Sequence, residues 1–205
     1  MKLYYSPGAC SLSPHIVSRE LGISVELKKV NTKDKTVEGG ADFRKVNPKG
    51  YVPALELDNG QVLTEGPAIV QYLADQKPEA GLAPKAGSFE RYKLQEWLNF
   101  ITSELHKSFS PLFRPTTPDD YKPVVKENIS NRLQWLDEQL AGRDYLMGKT
   151  FTVADAYLFT VANWSKHVGI DLSKWPHLSA YLARVGARPK VQEAMQAEGL
   201  LKKAA

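Results

Sequence analysis

Short apolar runs alternate with helical stretches through the first third of the chain. Lys2 to Tyr5 reads as a strand, Ser11 to Leu21 as a helix and Val25 to Val30 as a second strand. After a polar stretch holding Gly39 and Gly40 come a short helical piece near Asp42 to Val46 and two further strands, Pro53 to Leu57 and Gln61 to Thr64. A helix from Glu65 to about Asp75 follows. The predicted order is β-α-β-α-β-β-α. Asp58-Asn59-Gly60 reads as a tight primed hairpin turn, because Asn-Gly supplies two residues with positive φ. Pro78, Gly81, Pro84 and Gly87 then crowd into residues 78–88, a linker. From Phe89 onward the pattern is helical only, over roughly 89–110, 119–141, 152–168, 176–187 and 189–198, divided by Pro115, Pro118, Gly142, Gly148, Pro176 and Pro189. The expected architecture is an α/β domain over 1–77, the linker, and an all-α domain over 89–205.

Within that second domain, Thr152-Val-Ala-Asp155 follows Phe151 and opens an apolar helix in the manner of a capping box with a hydrophobic staple. Thr152 is expected to cap the amide of residue 155 while Asp155 returns to the amide of Thr152. These residues are therefore read as fixing a helix start and not as catalytic.

Composition changes this picture little. The 205 residues are 42% apolar and 24% charged, an ordinary globular balance, and no apolar run approaches the roughly 18 residues that suggest a membrane span. The N-terminus lacks the apolar core of an export signal, so a soluble cytoplasmic protein is expected. Its 27 basic and 23 acidic residues are interleaved, with no block of like charge. The net charge of +4 accordingly favours small anionic ligands over nucleic acid. A single cysteine, Cys10, excludes an internal disulfide and any multi-cysteine metal site.

Cys10 follows the turn Ser6-Pro-Gly-Ala9 and precedes a helix whose Pro14 fits only a first turn. A sulfur at a helix N-terminus is expected to have a lowered pKa, making Cys10 a reactive thiol or part of a thiolate-binding site. Cys10-Ser-Leu-Ser13 has the spacing of a thioredoxin-type C-x-x-C with serine in place of the resolving thiol, so any redox chemistry needs an external thiol. Glu65 and Gly66 stand where a strand runs into a helix with Pro67 early in it, so a carboxylate and free amides can together hold a zwitterion. Asn99, Ser103 and His106 share one face at α-helical spacing, beside an apolar stripe of Trp97, Ile101 and Leu105 expected in the core. Phe109 and Phe113 continue beyond His106 as an apolar wall.

Together these features resemble the cytosolic glutathione S-transferases, specifically the bacterial beta class. The resemblance covers essentially the whole chain and rests on Lys2 to Leu12, Asn47-Pro-Lys-Gly50 with Val52-Pro53-Ala-Leu55, Leu63 to Gly66, Glu96 to Asn99, Ser103 to Lys107, and Phe151 to Tyr157. It implies a thioredoxin-like domain followed by a helical one, a homodimer, glutathione bound between the domains, no metal, and a cis peptide at Pro53. It also implies that Cys10 and His106 are catalytic. Lys35, Val52, Pro53, Glu65, Gly66, Asn99, Ser103, Glu104 and Lys107 would complete the glutathione site. Phe109, Phe113, Trp164 and His167 would receive a hydrophobic electrophile. Gly66 departs from a serine common elsewhere in the family.

The expected reaction is attack of the glutathione thiolate on an electrophilic carbon. Two alternatives remain at this level. In one, a thiol-disulfide oxidoreductase works through a Cys10 mixed disulfide; in the other, the chain is a non-catalytic ligand carrier.

Overall fold

A computed structural model describes residues 1–201 of the chain. Contacts divide it into two compact units, Met1–Ala83 with Ala187–Ala205, and Pro84–Gly186. The last four residues of the expected helical domain 89–205 lie outside the described residues.

The first unit carries a five-stranded sheet in the order β3-β2-β1-β4-β5. Its strands are β1 (Lys2–Tyr5), β2 (Glu26–Asn31), β3 (Thr36–Val37), β4 (Ala54–Glu56) and β5 (Val62–Thr64). β1 and β2 are parallel, joined by helix α1 (Leu12–Glu20), while β1–β4, β4–β5 and β2–β3 are antiparallel. The expected order is realised with two refinements. Residues 36–37 add a short edge strand, and the helical piece near residue 43 is a single 3₁₀ turn, Phe43–Lys45, capped by Asp42. That turn covers one face of the sheet, where Tyr4, Val30, Phe43, Val52 and Ala54 form a buried cluster.

The β4–β5 hairpin closes differently from the sequence expectation. Gly60 N–H donates to Leu57 O at 2.9 Å, and Gly60 alone takes a positive φ, +83°. Asn59 instead accepts the Gln61 amide on its side-chain oxygen at 3.0 Å, so a three-residue loop with one left-handed glycine replaces the primed turn.

The chain continues through α2 (Gly66–Asp75) and then into the second unit, which is helical. Its helices are α3 (Phe89–Phe100), α4 (Lys107–Phe109), α5 (Tyr121–Leu140), α6 (Val153–Ala162) and α7 (Pro176–Gly186). Helix α6 is buried at all ten positions, as a central helix with apolar residues on every side must be, and its polar residues Asp155 and Thr160 are hydrogen-bonded. Its start is held by Asp155, whose carboxylate accepts from Thr152 N–H at 2.8 Å, Leu146 N–H at 2.8 Å and the Tyr181 hydroxyl at 3.0 Å. The Thr152 hydroxyl also donates to this carboxylate, at 3.0 Å. The Asp155 half of the expected box is thus extended into a buried network.

One grouping differs from the expected boundaries. Helix α8 (Pro189–Ala197) packs on α1 and belongs with the first unit, not with the helices before it. The cause is a set of specific long-range bonds. Arg188 forks onto Glu20 at 2.7 and 2.8 Å, and buried Glu198 accepts from Gly8 N–H at 2.9 Å while contacting His15 Nδ1 at 2.9 Å. The α8 segment therefore holds the loop that leads to Cys10.

Candidate active site

In the first unit, the loop from Ser6 to Cys10 is fixed before any ligand arrives. Ala9 N–H donates to Ser6 O at 3.0 Å, Ser6 N–H donates to Ser11 Oγ at 3.1 Å, and Gly8 takes φ +70° with Leu200 packed 3.3 Å from where a Cβ would stand. A side chain at Gly8 would meet both the strained φ and that contact. Cys10 lies two residues before α1, as expected, with Pro14 in the helix's first turn. Its thiol donates to Val52 O at 3.2 Å. Burial pushes the thiol up to about 12, against the amides of Cys10 and Ser11, which pull it down, and with a smaller rise from Glu65. The expectation of a lowered thiol pKa is thereby corrected, because desolvation outweighs two favourable amides. Ser13 does not face a partner sulfur either: its hydroxyl donates to Cys10 O at 2.8 Å.

Val52 and Pro53 are joined by a cis peptide. The turn that presents them is held by Asn47, nearly fully buried, whose amide donates to Tyr51 O at 2.7 Å. Lys35 extends along this same turn, its Cδ 3.4 Å from a Cβ built on Gly50 and its ammonium 5.5 Å from the Tyr51 ring centroid. Beyond β5, Glu65 is the N-cap of α2 without a side-chain cap bond. Lys35 and Glu65, at φ +64° and +69°, are the only non-glycine residues with positive φ among the described residues. Glu65 was read from the sequence as a ligand-binding carboxylate and Lys35 was implied by the family resemblance, and positive-φ backbone at non-glycine positions concentrates at ligand sites. A Cβ on Gly66 would lie 4.0 Å from Pro53 Cγ and 4.0 Å from Ser13 Oγ, so a serine would fit there without strain. The first unit thus gathers Cys10, Lys35, Val52, Pro53, Glu65 and Gly66 around one turn and two helix starts.

The second unit carries the rest of the predicted residues. Between α3 and α4 the chain widens into a π turn over Ile101–His106. Hydroxyls of Thr102, Ser103 and Ser108 bond back to the carbonyls of Leu98, Asn99 and Glu104 at 2.8, 3.0 and 2.8 Å, supporting the departure from regular α winding. The single polar face expected from α spacing is therefore divided. Asn99, Ser103 and Lys107 are exposed, whereas His106 turns inward to meet the Tyr157 hydroxyl at 2.6 Å through Nδ1. Glu104 pairs with Arg132 of α5 at 2.9 Å. Trp97 also departs from expectation, since it is only half-buried, packed on Phe100 and Trp135, and leaves the core to Leu94, Leu98, Ile101 and Leu105.

The aromatic wall is present within this unit. Trp164 stands edge-on to His106 with centroids 4.9 Å apart, and Phe109 and Phe113 each meet Trp164 at 5.8 Å. Phe109 is fully buried and Phe113 half exposed, so only the latter offers its ring to a ligand. His167 is exposed at the end of the turn after α6 and lies outside this aromatic group. Among the described residues, no group of three or more His, Cys, Asp or Glu is placed to hold a metal ion, and no helix is long and apolar enough to cross a membrane.

Comparison with known proteins decides the family. The glutathione S-transferase N-terminal domain model matches residues 8–76 and the C-terminal domain model residues 100–189. Glutathione S-transferase GstA of Escherichia coli O157:H7 is 50% identical over 98% of this chain and 100% of its own. The chain belongs to the glutathione S-transferase family. Among solved structures, a beta-class glutathione S-transferase of Sphingomonas chungbukensis matches at TM-score 0.96 and 50% identity, covering 98% of this chain and 100% of that one. A sphingomonad glutathione S-transferase complexed with glutathione matches at TM-score 0.95 and 51% identity over the same shares. This transferase thus has the thioredoxin-like first domain and helical second domain of its family.

Sequence reasoning did not place Tyr157, Lys49, His15 or Glu198 in a site. Tyr157 and Lys49 were visible only as letters within family motifs. His15 and Glu198 meet across 183 positions, and no local pattern marks such a pair.

Proposed function

We propose that the chain conjugates glutathione to hydrophobic electrophiles, with glutathione supplying the nucleophile. The observation that carries this reading is the Cys10 thiol, bonded as a donor to Val52 O and pushed up to about 12. A thiol held in that state is a poor attacking group but a good hydrogen-bond donor, which disfavours a Cys10 mixed disulfide as the main route. Glutathione's own thiol, ionising near the ordinary cysteine value, must be the sulfur that attacks.

His106 is assigned to stabilising that thiolate. Its Nδ1 is occupied by the Tyr157 hydroxyl. On this reading the imidazole, anchored by Tyr157, is the group that hydrogen-bonds the sulfur anion. The thiol proton passes to solvent, the thiolate attacks the electrophilic carbon, and the leaving group departs with its bonding electrons. Lys35, Val52, Pro53, Glu65, Gly66, Asn99 and Ser103 are proposed glutathione contacts on the strength of the family resemblance, with Glu104 and Lys107 as outlying neighbours. Phe113 and Trp164 are proposed to receive the apolar electrophile.

A homodimer is also proposed. It is supported by the aromatic cluster that half-buried Trp97 and Phe100 of α3 form with exposed Trp135 of α5. A cytoplasmic location is part of this proposal, supported by the reliance on reduced glutathione. The direct test measures chlorodinitrobenzene conjugation and reduction of a glutathione mixed disulfide on the same preparation. Conjugation should dominate; disulfide reduction without conjugation would select the oxidoreductase, and glutathione binding with neither activity the carrier.

A further inference from the structure

The Glu65 carboxylate is already engaged by an ammonium group, that of Lys49, whose Nζ donates to Glu65 Oε1 and to the Thr64 hydroxyl at 2.9 Å. Both partners are largely exposed, so the pair is held by charge and not by enclosure. Lys49 sits in the Asn47–Tyr51 turn that presents Val52. Glu65 starts α2 from a left-handed backbone conformation and makes no cap bond of its own. Its carboxylate is thus aimed away from its helix and toward a cation.

We propose that Lys49 is an affinity-setting residue, an internal competitor whose side-chain ammonium occupies the position a ligand's α-ammonium takes on Glu65. This rests on the assignment of Glu65 to the γ-glutamyl end of glutathione. The two ammonium groups carry the same charge, so with Lys49 already on Oε1 a second cation reaching the same carboxylate meets like-charge repulsion that weakens both contacts. Binding then proceeds by exchange: the lysine swings off on its flexible stem as the ligand's ammonium arrives. Because an exposed pair is weak, the lysine lowers affinity moderately and does not block the site. A dipeptide or tripeptide lacking the α-ammonium does not compete for Glu65, so its affinity does not depend on whether Lys49 is present.

The test is calorimetric titration of the intact protein with glutathione and with its analogue in which a hydrogen replaces the α-amino group, using wild type, Lys49→Met and Glu65→Gln. Lys49→Met should bind glutathione about two- to fivefold tighter, with no tightening of the deaminated analogue. Equal weakening of both ligands would show that Lys49 attracts their carboxylates, and unchanged glutathione affinity would show no competition; either overturns the proposal. Glu65→Gln separates the underlying assignment. It should weaken glutathione at least tenfold with little effect on the analogue, and an unchanged affinity there would sink the Glu65 reading whatever Lys49 does.

Discussion

A thiol in hydrogen-bond contact with a carbonyl oxygen must keep its proton, because the carbonyl has none to give. Cys10 and Val52 stand in that relation, and desolvation of the sulfur reinforces it. The folded thiol therefore ionises near 12, above the roughly 8.5 of an unfolded cysteine. Its contribution to stability is fully present below about 8.5 and lost as pH rises toward 12, since the unfolded chain sheds this proton first. In the ligand-free protein, alkylation of Cys10 by iodoacetamide should be slow near neutral pH and still rising at about pH 10. A rate that levels off near pH 7 would mean the sulfur is a thiolate after all. The sequence located Cys10 correctly at a helix start but misjudged its state. Amides and dipole are local and visible in the letters, whereas desolvation is set by the Val52 turn 42 positions away.

At the scale of elements, most of the strands and helices were legible because their apolar periods are long and their stops are prolines and glycines. Two failures have local causes. Asn59 was expected in a left-handed conformation but uses its side chain as an acceptor, which leaves the turn to Gly60. Residues 101–106 keep an α-like letter pattern while hydroxyl back-bonding accompanies a π turn, which carries His106 away from Asn99 and Ser103 toward Tyr157. Trp97, one turn earlier in α3, is half-buried and packs on Phe100 and on Trp135 of α5, where the two helices share an aromatic face. If that face joins two copies, light scattering at micromolar concentration should give twice the 22.9 kDa chain mass. Trp135→Ser should then shift the equilibrium toward monomer, as removal of a large interface aromatic does. A wild-type monomer would remove the dimer, and a Trp135→Ser dimer of unchanged strength would relocate it.

For the whole molecule, the family resemblance made the domain order legible and named candidate site residues, but no pattern in the letters disclosed their wiring. Helix α8 returns to the first unit through Arg188, Glu198 and their distant partners, so a chain that reads as two consecutive domains is a discontinuous unit with a helical insertion. Contacts of that separation leave no periodicity and no motif. Catalysis is proposed to belong to the bound thiol, with Cys10 a hydrogen-bond donor and His106 the stabiliser of the thiolate. The most direct test is conjugation of chlorodinitrobenzene at saturating glutathione by wild type, Cys10→Ala and His106→Ala. Cys10→Ala should keep a substantial part of the rate while losing all disulfide exchange, and His106→Ala should lose about ten- to a thousandfold. Complete loss of conjugation in a Cys10→Ala protein that still binds glutathione would contradict the account.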